Sequence, residues 1–417
     1  MDKNILEFQR RFNKKPKYKV VVPSRVNLIG EHSDYFDMLV CPMAIEKVAM
    51  VSYLKPRRDN KIRIYTKNLP DEEKPMYELT LMDDRKSDQW IQYVQGAMAM
   101  FAEEYTRRAL KGFDILIDSS IPIGAGLSSS TALTMTSLAA LGLSNKFPNG
   151  SVSYTTKRAI KLINQKGDSE LSHKIMSKLC MMGCWAEYWY GTRGGAMDHF
   201  ATTVSKKGNA TLLDNINFSY KYVPMPEEIS IIICDTGIRH NQLYSEFDNR
   251  KKDAFRGFKK LRQFFPRMKS VRNISYDRLK QNKDKLTDVE YRRLKHPITE
   301  KIRLKKFVTA LKDKNFKKAG KMLNETMLSL QKDYEVSCSE LNLMHKIANK
   351  QKGCFGSRIT GGGFGGAIIA LVDRKFIDNF IINVKTEYDN NIKIKKAGIS
   401  SKVWEAESGD GLHIEKL

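Results

Sequence analysis

Two short stretches of this chain hold residue types that could do chemistry together. In the first, Glu31, His32 and Asp34 follow directly on Gly30, within Pro23-Ser24-Arg25-Val26-Asn27-Leu28-Ile29-Gly30-Glu31-His32-Ser33-Asp34-Tyr35. Ionised carboxylates accept charge-assisted hydrogen bonds from hydroxyls, so the cluster suits recognition of a polyol such as a sugar. No further His or Cys at ligand spacing supports a metal site there. In the second stretch, Gly124, Gly126, Ser128, Ser129 and Ser130 lie within Ile121-Pro122-Ile123-Gly124-Ala125-Gly126-Leu127-Ser128-Ser129-Ser130-Thr131-Ala132-Leu133. The glycines allow backbone angles and close approach that a Cβ would forbid. The serines can cap a helix and present hydroxyls. Open N–H groups and the helix dipole then favour an anion, most naturally a phosphate. No Gly-Lys-Ser/Thr follows, which sets the stretch apart from the usual P-loop. The plain alternatives are an exposed polar turn and an ordinary capped helix.

The flanking patterns give the elements that must position these residues. Phe113, Ile115 and Ile117 recur at every second position and predict a strand. Ala132, Leu133, Met135, Leu138, Ala139 and Leu141 recur at helical spacing. The glycine- and serine-rich turn therefore joins a strand to a helix N-terminus. Lys19 to Val22 predicts a strand leading into the carboxylate cluster, and residues 2–13 predict a short helix with Ile5, Leu6, Phe8 and Phe12 on its apolar side. Residues 89–110 and 154–190 read mostly as helices, and 210–213 and 229–234 as strands.

The 417 residues suffice for two domains, and a hydrophobic content of 41% fits a globular chain. No apolar run approaches the length of a membrane span. Met1-Asp2-Lys3-Asn4-Ile5 holds no apolar signal core, so a cytoplasmic protein is expected, its six cysteines reduced. The formal net charge is +25, and Arg250 to Gly320 holds 25 Lys/Arg against 7 Asp/Glu. These interleave with Phe255, Phe258, Leu261, Phe264 and Phe265, as in amphipathic helices with solvated basic faces. No nucleic-acid module signature accompanies them, which argues against nucleic acid as a partner.

The segment Arg25 to Tyr35 resembles the galactokinase signature, with Ser33 where threonine is usual. Pro122 to Leu133 resembles the phosphate-binding motif of the wider GHMP kinase superfamily, and Ser357 to Ala367 its C-terminal glycine loop. The three occur in the expected order, and the resemblance covers essentially the whole chain. It implies an α+β, two-domain GHMP kinase fold, with domains at 1–207 and 208–417 and the active site in the interdomain cleft. It further implies ATP-dependent phosphorylation of the anomeric hydroxyl of galactose, with ATP and Mg²⁺. Carried over residue by residue, it makes Asp198 the catalytic carboxylate and Arg25 the catalytic arginine. Sugar binding goes to Glu31, His32, Asp34, Gly195 and Phe247. Nucleotide binding goes to Pro122, Gly124, Ala125, Gly126, Leu127, Ser128, Ser129 and Ser130, and Mg²⁺ to Ser130 and Glu187. Gly361 to Gly363 would shape the floor.

The chain departs from the family at several points. Phe247 stands where tyrosine is frequent, and Phe36-Asp37 replaces an Asn-Gly-like pair. Gly191 to Gly195 is closer to the N-acetylgalactosamine kinase branch, and Arg193 within it could face a substrate carboxylate or solvent. N-acetylgalactosamine, galacturonate and arabinose therefore remain as alternative sugars. The rival from another class is a non-catalytic galactose sensor. Such relatives have lost part of the serine-rich loop, whereas here it is intact, as are Arg25 and Asp198. A monomer without a membrane partner is expected.

Overall fold

The computed structural model describes residues 2–69, 76–81, 90–102, 110–122, 126–145, 158–163, 169–191, 194–239 and 243–417. Helix α1 (Lys3–Phe12) opens the chain, capped by the Asp2 carboxylate on the Asn4 N–H and closed by left-handed Asn13. Phe8 and Phe12 form its buried face, while Leu6 stays exposed. Strands β1 (Tyr18–Asn27), β2 (Leu39–Val40), β3 (Pro42–Pro56), β4 (Lys61–Thr66) and β5 (Met76–Thr80) precede helix α2 (Ile91–Ala102) and β6 (Phe113–Ser119). With the C-terminal β13 (His413–Lys416), they build a six-stranded sheet ordered β13-β1-β3-β6-β4-β5. Only β4 and β6 run parallel in it. The β1–β3 register shifts between Pro23 and Ser24, where proline has no N–H for the ladder.

Helix α3 (Ser129–Ser144) is buried all round from Thr131 to Gly142, as a helix inside a core must be. Helices α4 (Glu170–Tyr190) and α5 (Met197–Val204) pack beside it. A Cβ on Gly183 of α4 would stand 2.5 Å from Met135 Sδ and 2.7 Å from the His199 ring, so this glycine sets how closely the three helices approach. The chain passes residue 207 in a tight turn, Asn209 N–H bonding the Lys206 carbonyl. Strands β7 (Asn209–Asp214) and β8 (Ser219–Pro224) then join β2 in a three-stranded sheet.

Strand β9 (Ile229–Asp235) belongs to a second, wholly antiparallel sheet with β10 (Cys354–Thr360), β11 (Ala367–Asp373) and β12 (Lys402–Ala406), ordered β10-β11-β9-β12. Ile229, Ile231 and Ile233 enter the core shared with the first sheet, while Ile232 and Cys234 enter a second core on the other face. Burial on both faces explains the continuous apolar run of β9. Between β9 and β10 lie α6 (Leu243–Phe264), α7 (Tyr276–Gln281), α8 (Asp288–Lys312), α9 (Phe316–Ser329) and α10 (Ser339–Lys350). A π-helical turn, Leu330–Tyr334, extends α9. Helices α11 (Ile377–Asp389) and α12 (Ile392–Lys396) follow β11.

The basic segment forms amphipathic helices. Phe258 and Leu261 of α6 are buried, Phe255 and Phe264 remain on the surface, and Arg256 and Lys260 pair with buried Glu290. Among the described residues no helix is long and apolar enough to cross a membrane.

Candidate active site

Arg25 lies on β1 just beyond the register shift and is 4% exposed. Its Nε donates to Oδ1 of Asp198 at 2.7 Å and its Nη2 to Oδ2 at 2.5 Å. This is the two-pronged match of guanidinium to carboxylate. The third arm, Nη1, donates to the Gly126 carbonyl at 2.6 Å, tying the pair to the turn before α3. Asp198 sits in the first turn of α5, where the helix dipole favours an anion. It also accepts from Ser128 Oγ at 2.6 Å. Burial pushes its carboxyl upward, but the charge and hydrogen bonds of Arg25, helped by Ser128, outweigh burial and hold it below the ordinary carboxylate range. Asp198 is therefore ionised at neutral pH.

The turn before α3 is built from left-handed backbone. Gly126 has φ +74° and Ser128 has φ +64°. A Cβ on Gly361 would lie 2.8 Å from the Gly126 carbonyl oxygen, so the two glycine loops touch. Ser128 occupies the cap position of α3, yet it does not cap, contrary to the sequence expectation. Its hydroxyl turns to Asp198 instead. The first N–H groups of α3 are thus without a side-chain cap from Ser128, beside the partly exposed Ser129 and Ser130. A left-handed glycine cradle against an uncapped helix start fits a phosphate group. Leu127 is buried, its carbonyl accepting from Ser24 Oγ at 2.8 Å, and Pro122 leads into the turn. Gly124 and Ala125 lie outside the described residues.

The acidic motif is held from behind. Gly30, at φ +99°, donates its N–H to Oε1 of the fully buried Glu300 on α8 at 2.9 Å. His296 of the same helix sets Nε2 against the Glu31 carbonyl at 2.9 Å. The Glu31 carboxylate is not free: Oε2 takes Nη1 of Arg358 at 2.6 Å and Asn27 Nδ2 at 3.3 Å. Arg358, on β10 and wholly buried, also donates to the carbonyls of Asn27, Leu28 and Ile359. Burial raises the Glu31 carboxyl, opposed by Arg358 and Arg25.

Asp34 faces Gly195 so closely that a Cβ there would stand 2.0 Å from Asp34 Oδ2. Its carboxyl is pushed up to about 6, first by burial and then by the negative charge of Asp198. His32, at φ +55°, is buried, and burial takes it down to about 3, so its ring is neutral. Its ring lies against Phe247 of α6 and Tyr334, with centroids 5.5 and 4.9 Å away, and Phe247 also meets Tyr35 edge-on at 5.4 Å. Glu187, near the end of α4, is buried, with Oε1 accepting from Thr131 Oγ1 at 2.9 Å and lying 3.2 Å from His199 Nε2. Thr131, one position beyond the expected Ser130, makes the side-chain contact to Glu187. Arg193 lies outside the described residues.

The structure thus brings Arg25, Asp198, Gly126 and Ser128 into one network, places Asp34 against Gly195, and sets the His32 ring against Phe247 at a tilt. Sequence reading missed Arg358, Glu300 and Tyr334. Arg358 belongs to the quoted glycine-loop motif, and its only signal was a charge inside an apolar strand. Glu300 lies within a lysine-rich helix that looks like solvated surface.

Comparison with known proteins bears on the same regions. Residues 6–54 match the galactokinase galactose-binding signature, residues 92–153 the GHMP kinases N terminal domain, and residues 307–388 the GHMP kinases C terminal domain. The chain is 32% identical over 418 residues to a galactokinase of Clostridium perfringens, covering 99% of each. It is 31% identical over 376 residues to one of Chloroflexus aggregans, covering 90% of this chain and 88% of that protein. The crystal structure of Lactococcus lactis galactokinase complexed with galactose superposes with a TM-score of 0.83 at 27% identity, covering 99% of both chains. Methanococcus jannaschii mevalonate kinase, at 18% identity and a TM-score of 0.59 over 94% of this chain and 98% of that one, shares the fold. The architecture expected from the motifs, an α+β two-domain GHMP kinase fold, is the one found.

Proposed function

The chain belongs to the galactokinase family, and from that premise we propose that it transfers the γ-phosphoryl group of ATP to the anomeric hydroxyl of galactose, giving galactose 1-phosphate. The observation that carries the reading is the Arg25–Asp198 fork with its third arm on Gly126. One buried network joins a fixed carboxylate, a fixed cation and the phosphate-cradling turn. Phosphoryl transfer needs mostly positioning and charge stabilisation, and this network supplies both.

Asp198 is assigned to align the sugar hydroxyl and to take its proton. A carboxylate held this firmly ionised is a weak base, so proton transfer comes late, once attack on phosphorus has acidified the hydroxyl. Arg25 keeps Asp198 ionised and stabilises charge developing on the transferred group. Asp34, His32 and Glu31 are assigned to the sugar, with Gly195 leaving Asp34 room and Phe247 giving an apolar wall. Gly126 and Ser128 to Ser130, with Pro122, Gly124, Ala125 and Leu127, are assigned to the nucleotide phosphates.

Among the described residues no cluster of three or more His, Cys, Asp or Glu could grip a metal unaided. Glu187 and Ser130 are assigned to Mg²⁺, which keeps several waters, takes few protein carboxylates and supplies neutralisation of phosphate charge when bound. The free cysteines support a reducing compartment such as the cytoplasm. The division between N- and C-terminal kinase domains is placed near residue 207, where β7 begins.

A sugar panel tests the function: galactose, N-acetylgalactosamine, galacturonate, arabinose, glucose and mevalonate, each with MgATP, ranked by kcat/KM. Galactose should rank first. Preference for glucose or mevalonate would defeat the reading, and so would galactose binding without turnover.

A further inference from the structure

The His32 ring is joined to two tyrosines by a buried chain of hydrogen bonds. His32 Nδ1 lies 2.9 Å from Tyr35 Oη, and Tyr35 Oη lies 2.9 Å from Tyr334 Oη. Tyr334 is wholly buried in the π-helical turn Leu330–Tyr334, a rare backbone form that often marks functional places. Its neighbour Asp333 is anchored by Lys295 at 2.9 Å and Ser329 at 2.9 Å, which fixes the turn. At the other end of the chain, His32 Nε2 is buried with no side-chain partner among the described residues, and the ring lies beside the Gly362 backbone, an interaction that favours a proton on the ring.

Counting hydrogens gives the chain a direction. Among the described residues, the Tyr334 hydroxyl has Tyr35 as its one hydrogen-bond partner. If Tyr334 merely accepted, its own buried O–H would point at nothing. An orphaned buried donor is rarer and costlier than an unfilled lone pair. Tyr334 therefore donates to Tyr35. The Tyr35 hydroxyl must then spend its single hydrogen on His32 Nδ1, which becomes the acceptor. A neutral imidazole carries one N–H, so the proton resides on Nε2. The left-handed backbone at His32 and the ring contacts of Phe247 and Tyr334 hold the imidazole in that pose.

We propose that Tyr35, its hydroxyl backed by donation from Tyr334, is a positioning residue that fixes the tautomer of His32, so that the site offers a sugar hydroxyl an Nε2–H donor. This rests on the galactose-kinase reading. It divides the work of recognition: Asp34 accepts from the sugar, and His32 donates to it. A pocket that presents both accepts only a hydroxyl pattern with the matching donor and acceptor.

The test has two arms. In the first, ¹⁵N-histidine protein without sugar is examined by long-range ¹H–¹⁵N NMR, with His32 assigned by its loss in His32→Gln. Wild type should show the neutral ring protonated at Nε2. Tyr35→Phe should admit the Nδ1–H form, because Nδ1 then has no hydroxyl to accept from. A wild-type proton on Nδ1, or a tautomer unmoved by Tyr35→Phe, would overturn the proposal. In the second arm, Tyr35→Phe should raise KM for galactose roughly 2- to 10-fold, the worth of one hydrogen bond. KM for ATP should hold, while the melting temperature falls modestly because the buried Tyr334 hydroxyl loses its acceptor. Equal changes in both KM values, or none in that for galactose, would show a merely structural role. Wild-type protein inert toward galactose would instead sink the functional reading, with the NMR arm still deciding the tautomer.

Discussion

Replacing Asp198 by asparagine keeps the size of the side chain and deletes its charge. The carboxylate now receives three hydrogen bonds: from Arg25 Nε and Nη2 and from Ser128 Oγ. An amide offers one acceptor oxygen and sets an NH₂ group against donors on the other side. At least one of the three bonds is lost outright, and the survivors lose one of their two charges. Hydrogen bonds to charged groups contribute about 1.5–3 kcal/mol each. The Asp198 side chain is 25% exposed, so water makes good part of the loss. A destabilisation of about 2–4 kcal/mol follows, which for a chain of this size lowers the melting temperature by roughly 2–5 °C. Turnover should fall much further, by ~10²–10⁴-fold, because the proton acceptor and the hydroxyl's alignment go together. The measurement is ADP release at saturating galactose and MgATP, at least about 15 °C below the variant's own melting temperature. KM for both substrates should stay within a few-fold. Folded Asp198→Asn protein with kcat within tenfold of wild type would refute the reasoning, since the Arg25–Asp198 pair would then serve stability alone.

Gly126→Val puts a β-branched residue at φ +74°, with its Cβ 3.5 Å from Gly361 Cα. Strain of about 1–3 kcal/mol, together with a side chain in the cradle, should weaken ATP binding tenfold or more by calorimetry, and unchanged affinity in folded protein would move the phosphate elsewhere. Asp34 predicts pH dependence. Because its folded value is raised to about 6, folding takes up a proton, so ionisation of Asp34 weakens the fold as pH climbs from about 4 to about 6. Sugar recognition runs the other way, since only the ionised form accepts from hydroxyls on both oxygens. The kcat/KM for galactose should rise through about pH 6 in wild type, and a profile that keeps this limb in Asp34→Asn would assign it to another group. Arg358→Met strands Glu31 in the interior and should cost about 3–5 kcal/mol by denaturant unfolding. A loss under about 1 kcal/mol would mean that Arg358 does not clamp the motif.

The parts legible in the sequence were those governed by local rules. The alternation of Phe113, Ile115 and Ile117 gives β6, and the helical spacing from Ala132 to Leu141 gives α3. The Lys19 to Val22 run sits inside β1, and Ile229 to Cys234 inside β9. What stayed hidden depends on partners far along the chain. Glu31 reads as a free sugar acceptor, and only the pairing of β10 beside the β1 turn gives it Arg358, 327 residues away. Ser128 reads as a helix cap, because Asp198, 70 residues on, competes for its hydroxyl only in the fold. Thr131 lies beside Ser130 in sequence, and which of them meets Glu187 depends on how α4 packs on α3. Pro297 would locally end a helix, yet α8 runs through it for 25 residues, carried by the buried contacts of Leu294, Ile298 and Leu304.

Strand β13 lies along the open side of β1, with Tyr18 to Val21 paired to residues 413–416. Its consequence belongs to biosynthesis. The strand that bears Arg25 leaves the ribosome early, but its outer edge stays unpaired until nearly four hundred further residues have been made. At roughly 5–20 residues per second, that interval lasts about 20–80 seconds. During it, an apolar β-strand offers bare N–H and C=O groups to any neighbour, including the same segment of another nascent chain. Helix α1, packed beside β3 and β6, shields a different part of that sheet meanwhile. The sheet that bears Arg25 is therefore complete only as its last strand docks, and a chain broken off before His413 would leave Tyr18 to Val21 on an unprotected edge.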